Sequence, residues 1–372
     1  MTKKKKLLYG ILAVGILAAF LVFEFAGLVA AIVVLALITA GIYIVPNMYF
    51  NREVKIRTAW AVDVGELLGS DDDCRVHIHK APLESSLSIV QLVPFSIHDE
   101  GFTYYDTTIQ NHIASALETA KTKGPDKGWS PETPLAVFSP YGTGGNDLYL
   151  YFETHLPAAV AYTIHVDDEK IPDYTATAIN GIHAEPYSKT HEFLLIGLVP
   201  GYTNHVTMTM TGSWGNTRKI VAFDITMPEP RSKYPVILNY EDGESTTAMT
   251  DGFFSMMRCN GYLGYGLFFD NNGILRYEMV LEGFGTDRFL YHEGSVITCV
   301  SISKLAKFNA LGRIKQVYPL DGYNLHHDIC MAGTDKVMAL VTKLDSKTVE
   351  DVLVEVDLNT GKVPSFWILP GL

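Results

Sequence analysis

Cysteine is scarce: four in 372 residues, at Cys74, Cys259, Cys299 and Cys330. No two stand in a CxxC spacing, so a cysteine-ligated zinc site is not expected, and buried thiols are as reasonable as disulfides. Basic charge is short as well. Lys and Arg number 29 against 41 Asp and Glu, a formal net charge of −12, and setting aside Lys3–Lys6 leaves the remainder more acidic still. Nucleic-acid binding wants a basic face, so that partner is excluded. Between Leu7 and Ile44 charge is almost missing, with Glu24 alone. What the chain has in quantity is apolar and aromatic side chains, 48% hydrophobic with 20 Tyr and 18 Phe. That is enough for packed cores and excludes global disorder.

The chain opens MTKKKK, residues 1–6, a basic tail that favours a cytoplasmic N-terminus. Residues 7–46 read as a transmembrane segment. As one helix, Leu7 to Ile44 would measure about 57 Å, nearly twice a ~30 Å hydrocarbon core. Two readings stay open: a helical hairpin turning at Glu24 to Gly27, or one true span with an apolar extension. A cleaved signal peptide fits less well, because its apolar core is shorter. One span would place the following domains outside the cell, two would place them inside. Arg52, Lys55 and Arg57 favour the inside weakly.

The length suggests roughly two or three domains. Residues 47–133 are a mixed linker region with one short helix, over Ile109 to Lys123, whose apolar stripe is Ile109, Ile113, Ala116 and Leu117. GPDKGWSPETP, 124–134, reads as linker. Over 134–228 the period falls to two. DLYLYFET alternates Leu148, Leu150 and Phe152 against tyrosines, and VTMTMT alternates Val206, Met208 and Met210 against threonines. Short strands and frequent turns over some ninety residues predict an immunoglobulin-like β-sandwich, with the Met stripe in its core. PEPRSKYP, 228–235, is a second linker. A motif then recurs in 229–372: Asp270 with Gly273, Asn309 with Gly312, and Asp357 with Gly361, each followed by a strand carrying an aromatic. Each reads as a hairpin, the Asp or Asn capping the turn and Gly taking positive φ. A repeat of about 40–50 residues predicts a β-propeller, here two to three blades. The fold class is therefore all-β, a sandwich and an incomplete propeller behind a helical anchor.

GYNLHHDICMAG, 322–333, holds two adjacent histidines. In a regular strand neighbours point to opposite faces, so at most one of His326 and His327 should face a given pocket, and the pair is a poor chelate. No metal site and no cofactor are expected.

SPYGTGGNDLYLYFET, HEFLLIGLVPGYTNHVTMTM, LFFDNNGILRYEM, LDGYNLHHDI and TVEDVLVEVDLNTGKV, in that order from about Pro134 to Leu369, resemble the bacterial arylsulfate sulfotransferases. The resemblance implies an immunoglobulin-like domain before a six-bladed propeller. It implies transfer of a sulfuryl group from a phenolic sulfate ester to a phenol through a sulfo-histidine, outside the cytoplasm. Such chemistry suits imidazole, a neutral nucleophile that leaves again, surrounded by donors that hold three charged oxygens. HHDI matches the family's histidine followed by an acidic residue, which makes His327, before Asp328, a sulfuryl-binding residue. His326 is the weaker candidate and His292 is not promoted.

The family's nucleophilic histidine, a second sulfate-binding histidine, an asparagine and an arginine belong to later blades, and no residue here is matched to them. On this reading the 372-residue chain is truncated or split and is not an active transferase by itself. The competing expectation is a non-catalytic membrane-anchored surface binding module. A sensor behind a membrane hairpin is a third.

Overall fold

A computed structural model describes residues 3–44, strands at 53–55, 76–80 and 89–94, and then 105–122, 124–125, 128–179, 186–213, 218–239, 252–260, 263–283, 288–344, 352–363 and 365–368. Helix α1 (Lys3–Thr39) runs unbroken into one π-helical turn, Ala40–Ile44. The turn considered at Glu24 to Gly27 is not there. The stretch has no proline to break it, and a lone interior glycine costs only about 1 kcal/mol. Leu7, Val14, Leu17, Val33 and Leu37 are exposed along it. Side chains at 19–26 lie outside the description, and among the described residues no helix is long and apolar enough to cross a membrane.

Nine strands form one sheet that folds over itself: β1 (Glu53–Lys55), β2 (Val76–Lys80), β3 (Ile89–Pro94), β4 (Leu135–Phe138), β5 (Leu148–Val166), β6 (Tyr174–Thr177), β7 (Ser188–Leu195), β8 (Thr203–Gly212) and β9 (Arg218–Thr226). The fold hinges on the 19-residue β5. Its first half pairs with β4 and β7 at residues 148–153. After an irregularity between Glu153 and Ala158, its second half pairs with β6 and β8. His155, Leu156 and Pro157 are exposed at this bend, where proline withholds a ladder donor. The strand so passes from one layer to the other, and the layers close over a core of Leu148, Leu150, Phe152, Phe193, Val206, Met208, Met210 and Val221. The Met stripe is wholly inside, each such side chain contributing about 1.5–3 kcal/mol by burial.

The flanks are more structured than linkers. β3 adds parallel to β4 and β1 parallel to β9, so strand pairing begins well before residue 134. Helix α2 (Thr107–Thr122) starts where the Asp106 carboxylate accepts the Thr108 N–H at 2.7 Å, and it buries Ile113, Ala116, Leu117 and Ala120. Within the expected 124–134 linker, Trp129 is buried and its indole N–H reaches the Ala120 and Lys121 carbonyls at the helix end.

Three antiparallel sheets follow. The first comprises β10 (Phe254–Asn260), β11 (Leu263–Phe269) and β12 (Leu275–Leu281). The second comprises β13 (Phe289–His292), β14 (Ser295–Ser301), β15 (Lys304–Phe308) and β16 (Ile314–Pro319). The third comprises β17 (Tyr323–Met331), β18 (Lys336–Lys343), β19 (Val352–Asp357) and β20 (Ser365–Ile368). The recurring hairpins close β11–β12, β15–β16 and β19–β20. Asp270 Oδ1 accepts from Asn272 and Ile274, Asn309 Oδ1 from Leu311 and Arg313, and Asp357 Oδ1 from Asn359 and Thr360. Gly273, Gly312 and Gly361 have φ of 71°, 75° and 70°. Consecutive sheets pack face to face: Met279, Leu281, Val300 and Phe308 join the first two, and Ile297, Leu305, Tyr318, Ile329, Val337 and Val354 the last two. Cys299 is buried and Cys330 exposed, and neither is in a disulfide.

The sandwich covers the edge of the first sheet. Gly145 N–H donates to the Glu278 carbonyl at 2.7 Å and Val280 N–H to the Thr143 carbonyl at 2.9 Å, so the loop 139–147 lies along β12 as an extra strand would. The Glu278 carboxylate accepts the N–H groups of Arg231 and Ser232 at 3.0 and 2.7 Å, which makes the expected 228–235 linker part of the same joint. Fully buried Arg276 pairs with Asp270 at 2.7 Å, donates to the Pro172 and Gly197 carbonyls and lies over the Tyr174 ring.

Candidate active site

β13 and β17 are the first strands of the second and third sheets, and the residue just before β13 meets β17 at one place. On β17 the ladder with β18 reads Leu325 opposite Val341 and then Ile329 opposite Ala339. Leu340 alone therefore faces His326, His327 and Asp328. This is a bulge, and His327 carries φ +76°, a conformation few non-glycine residues adopt. Leu325 and Ile329 on either side are buried and anchor it, while His327 and Asp328 are exposed and His326 is half-buried.

The bulge corrects the expectation that the two histidines diverge. Alternation needs an unbroken ladder, and here it is broken. The rings of His326 and His327 stand edge to face with centroids 4.0 Å apart. One rim therefore presents both.

Asp328 is clamped from the neighbouring sheet. Arg288, just before β13, donates Nε to Asp328 Oδ1 at 3.0 Å and Nη2 to Oδ2 at 2.8 Å, a two-pronged pair. The Thr298 hydroxyl on β14 donates to the Arg288 carbonyl at 2.8 Å, and Asp328 also accepts its neighbour's Ile329 N–H at 2.8 Å. The Arg288 hydrogen bond keeps the Asp328 carboxyl below its usual range. The guanidinium spends two of its five N–H donors on this clamp. Arg288 was missed in the sequence. Its partner is 40 residues away, about one repeat, and nothing local marks the pairing.

His292, at the end of β13, does not belong to this rim. Its Nδ1 takes Lys307 Nζ at 3.0 Å and its Nε2 lies 3.6 Å from Asp335. Among the described residues His292, Glu293 and Asp335 bring potential ligand atoms within 4.8 Å of one another. The Lys307 ammonium, bonded also to Glu293, already supplies the cation there.

Residues 135–228 match the model of the arylsulfotransferase Ig-like domain, and residues 240–370 match that of arylsulfotransferase (ASST). Together they cover more than half of the chain. None of the curated proteins matches it. Two matches of one family, in the family's own domain order, give a single assignment: the chain belongs to the arylsulfotransferase family.

Proposed function

We propose that this protein takes part in sulfuryl transfer from a phenolic sulfate ester to a phenol, with His327 and Arg288 holding the sulfate oxygens. The observation that carries the reading is the rim itself: an imidazole in left-handed backbone, followed in the chain by an aspartate that fixes a guanidinium. A sulfate monoester presents three charged oxygens, and fixed donors around it cost no reorganisation during transfer. The transferred group would reside on a histidine of a further blade, in line with what the family resemblance implies, and no residue of 1–372 is assigned that role. The three face-packed sheets support a propeller. The basic start and the outward apolar side chains of α1 support a membrane anchor with the β-domains outside the cytoplasm.

The test uses 4-nitrophenyl sulfate as donor and phenol as acceptor. Protein isolated from its native membrane should release 4-nitrophenol in a phenol-dependent way, and His327→Ala should lower the rate by about 10²–10³. The 372-residue chain should bind the donor and lose that binding in Arg288→Ala. Unchanged turnover in His327→Ala removes His327 from the site. Absence of both binding and turnover favours a non-catalytic surface module.

A further inference from the structure

The Arg288–Asp328 clamp sets the charge of the rim as well as its geometry. Its halves come from different sheets, and each side chain is about half open to solvent, Arg288 by 55% and Asp328 by 50%. They lie 2.8 Å apart, so the pair brings one positive and one negative charge to the same spot. The pairing raises the pKa of Arg288 and lowers that of Asp328, so both stay ionised at neutral pH. The other titratable groups at this rim are His326, His327 and Cys330, and none of them is a carboxylate, an ammonium or a guanidinium. Thr298 supports the pair without adding charge. It is fully buried on β14, opposite Phe289 in the ladder, and its hydroxyl holds the Arg288 carbonyl at 2.8 Å.

We infer that Asp328 is a specificity-determining residue that selects ligands by charge: the rim takes a sulfate monoester, a monoanion, in preference to a phosphate monoester, a dianion of nearly the same shape. This rests on the reading of the rim as a site for sulfate oxygens. A phosphate monoester loses its second proton near pH 6, so at pH 7.5 it carries about one charge more than the sulfate. Both present three terminal oxygens, and shape does little to separate them. A guanidinium alone would attract the dianion about twice as strongly. With the Asp328 carboxylate 2.8 Å away, repulsion offsets most of that attraction, and the second charge gains little from the site. The dianion still loses more hydration than the monoanion on binding. Discrimination of this kind comes from a repulsive group set beside an attractive one.

The test is calorimetric titration of phenyl sulfate and of phenyl phosphate into the 372-residue chain at pH 7.5. We expect the parent to bind the sulfate more tightly. Asp328→Asn keeps an oxygen for the Ile329 N–H and for one Arg288 donor but removes the negative charge. It should swing the affinity ratio toward phosphate by about tenfold, as one unit charge at a half-exposed position does. If Asp328→Asn misfolds, Asp328→Ser, equally neutral, carries the test. Thr298→Val should loosen Arg288 with no change of charge, weakening both ligands alike and leaving their ratio as in the parent, and Thr298→Ser should restore binding. Sulfate binding that is lost in Arg288→Ala, together with an unchanged ratio in the neutral Asp328 variants, overturns the selection and leaves the sulfate reading standing. A parent that binds phosphate as tightly as sulfate has the same meaning. Sulfate binding retained in Arg288→Ala removes the sulfate reading and the selection with it.

Discussion

Two buried titratable groups in the sandwich should pull its pH–stability profile in opposite directions. Asp147 is fully buried in the joint, its Oδ1 has no hydrogen-bond partner, and Gly144 packs so closely that a Cβ there would overlap the carboxyl. Burial raises its pKa from 3.8 to about 6. An acid with a raised folded pKa contributes stability below pH 3.8 and loses it as pH rises through 6. At about 1.4 kcal/mol per pH unit, the two-unit gap is worth about 3 kcal/mol. His191 behaves in reverse. It is buried, stacked on Phe152 at 4.9 Å, and burial lowers its pKa from 6.5 to about 4. Its contribution is present above pH 6.5 and lost as pH falls through 4, again about 3 kcal/mol. The two slopes nearly cancel in the parent protein. Asp147→Asn removes one of them. Urea unfolding, read from the fluorescence of buried Trp129, should show the variant gaining about 3 kcal/mol relative to the parent at pH 7.5 over its difference at pH 4. Taking the difference between the two pH values removes packing effects that do not titrate. His191→Phe should show the opposite tilt. Parallel profiles for Asp147→Asn and the parent would refute this reasoning.

Arg276→Met should destabilise the chain by about 3–5 kcal/mol, because Asp270 would keep a buried charge without its partner; urea denaturation measures it. Gly145→Ala should loosen the joint by about 1–3 kcal/mol, since the added Cβ overlaps a Glu278 carboxylate already held by two backbone N–H groups; a fall in Tm reads this out. His327→Gly should fold at least as stably as the parent, the left-handed backbone being free for glycine, while donor turnover falls as in His327→Ala. The clamp on Asp328 should survive acid. With its pKa held below 3.8, the pairing is present above that value and is lost only as pH falls further, so the fold-loss of donor binding in Arg288→Ala should be the same at about pH 8 and pH 5.

The features legible in the sequence are those whose physics is local. The hairpins at Asp270, Asn309 and Asp357 close on N–H groups within four residues, so the turn residues alone announce them. Val206, Met208 and Met210 alternate along one unbroken strand, and period two places them inside. The rim around His327 obeys neither rule. A bulge cancels the alternation that would otherwise separate the histidines, and the arginine that fixes Asp328 comes from the preceding sheet. The bend at 154–157 hides in the same way, because one strand of nineteen residues serves two layers.

The fragments that carry the family resemblance divide between two tasks. SPYGTGG, IGLVPG and DNNGILRY do not reach the rim; they make the joint. Gly145 and Thr143 pair with β12, Gly197 N–H donates to the Arg276 carbonyl at 2.9 Å, and Asn146 ties Leu198 to Glu278. Only HHDI touches the candidate chemistry. Sequence likeness in these stretches therefore reports a way of docking a sandwich on the edge of a sheet, which must be met whatever the sheets bind. That edge would otherwise expose unpaired N–H and C=O groups along β12. On the proposal above, sulfuryl transfer would rest on a smaller set, His327 with Asp328 and Arg288, and substitutions there should change activity while those at the joint change stability.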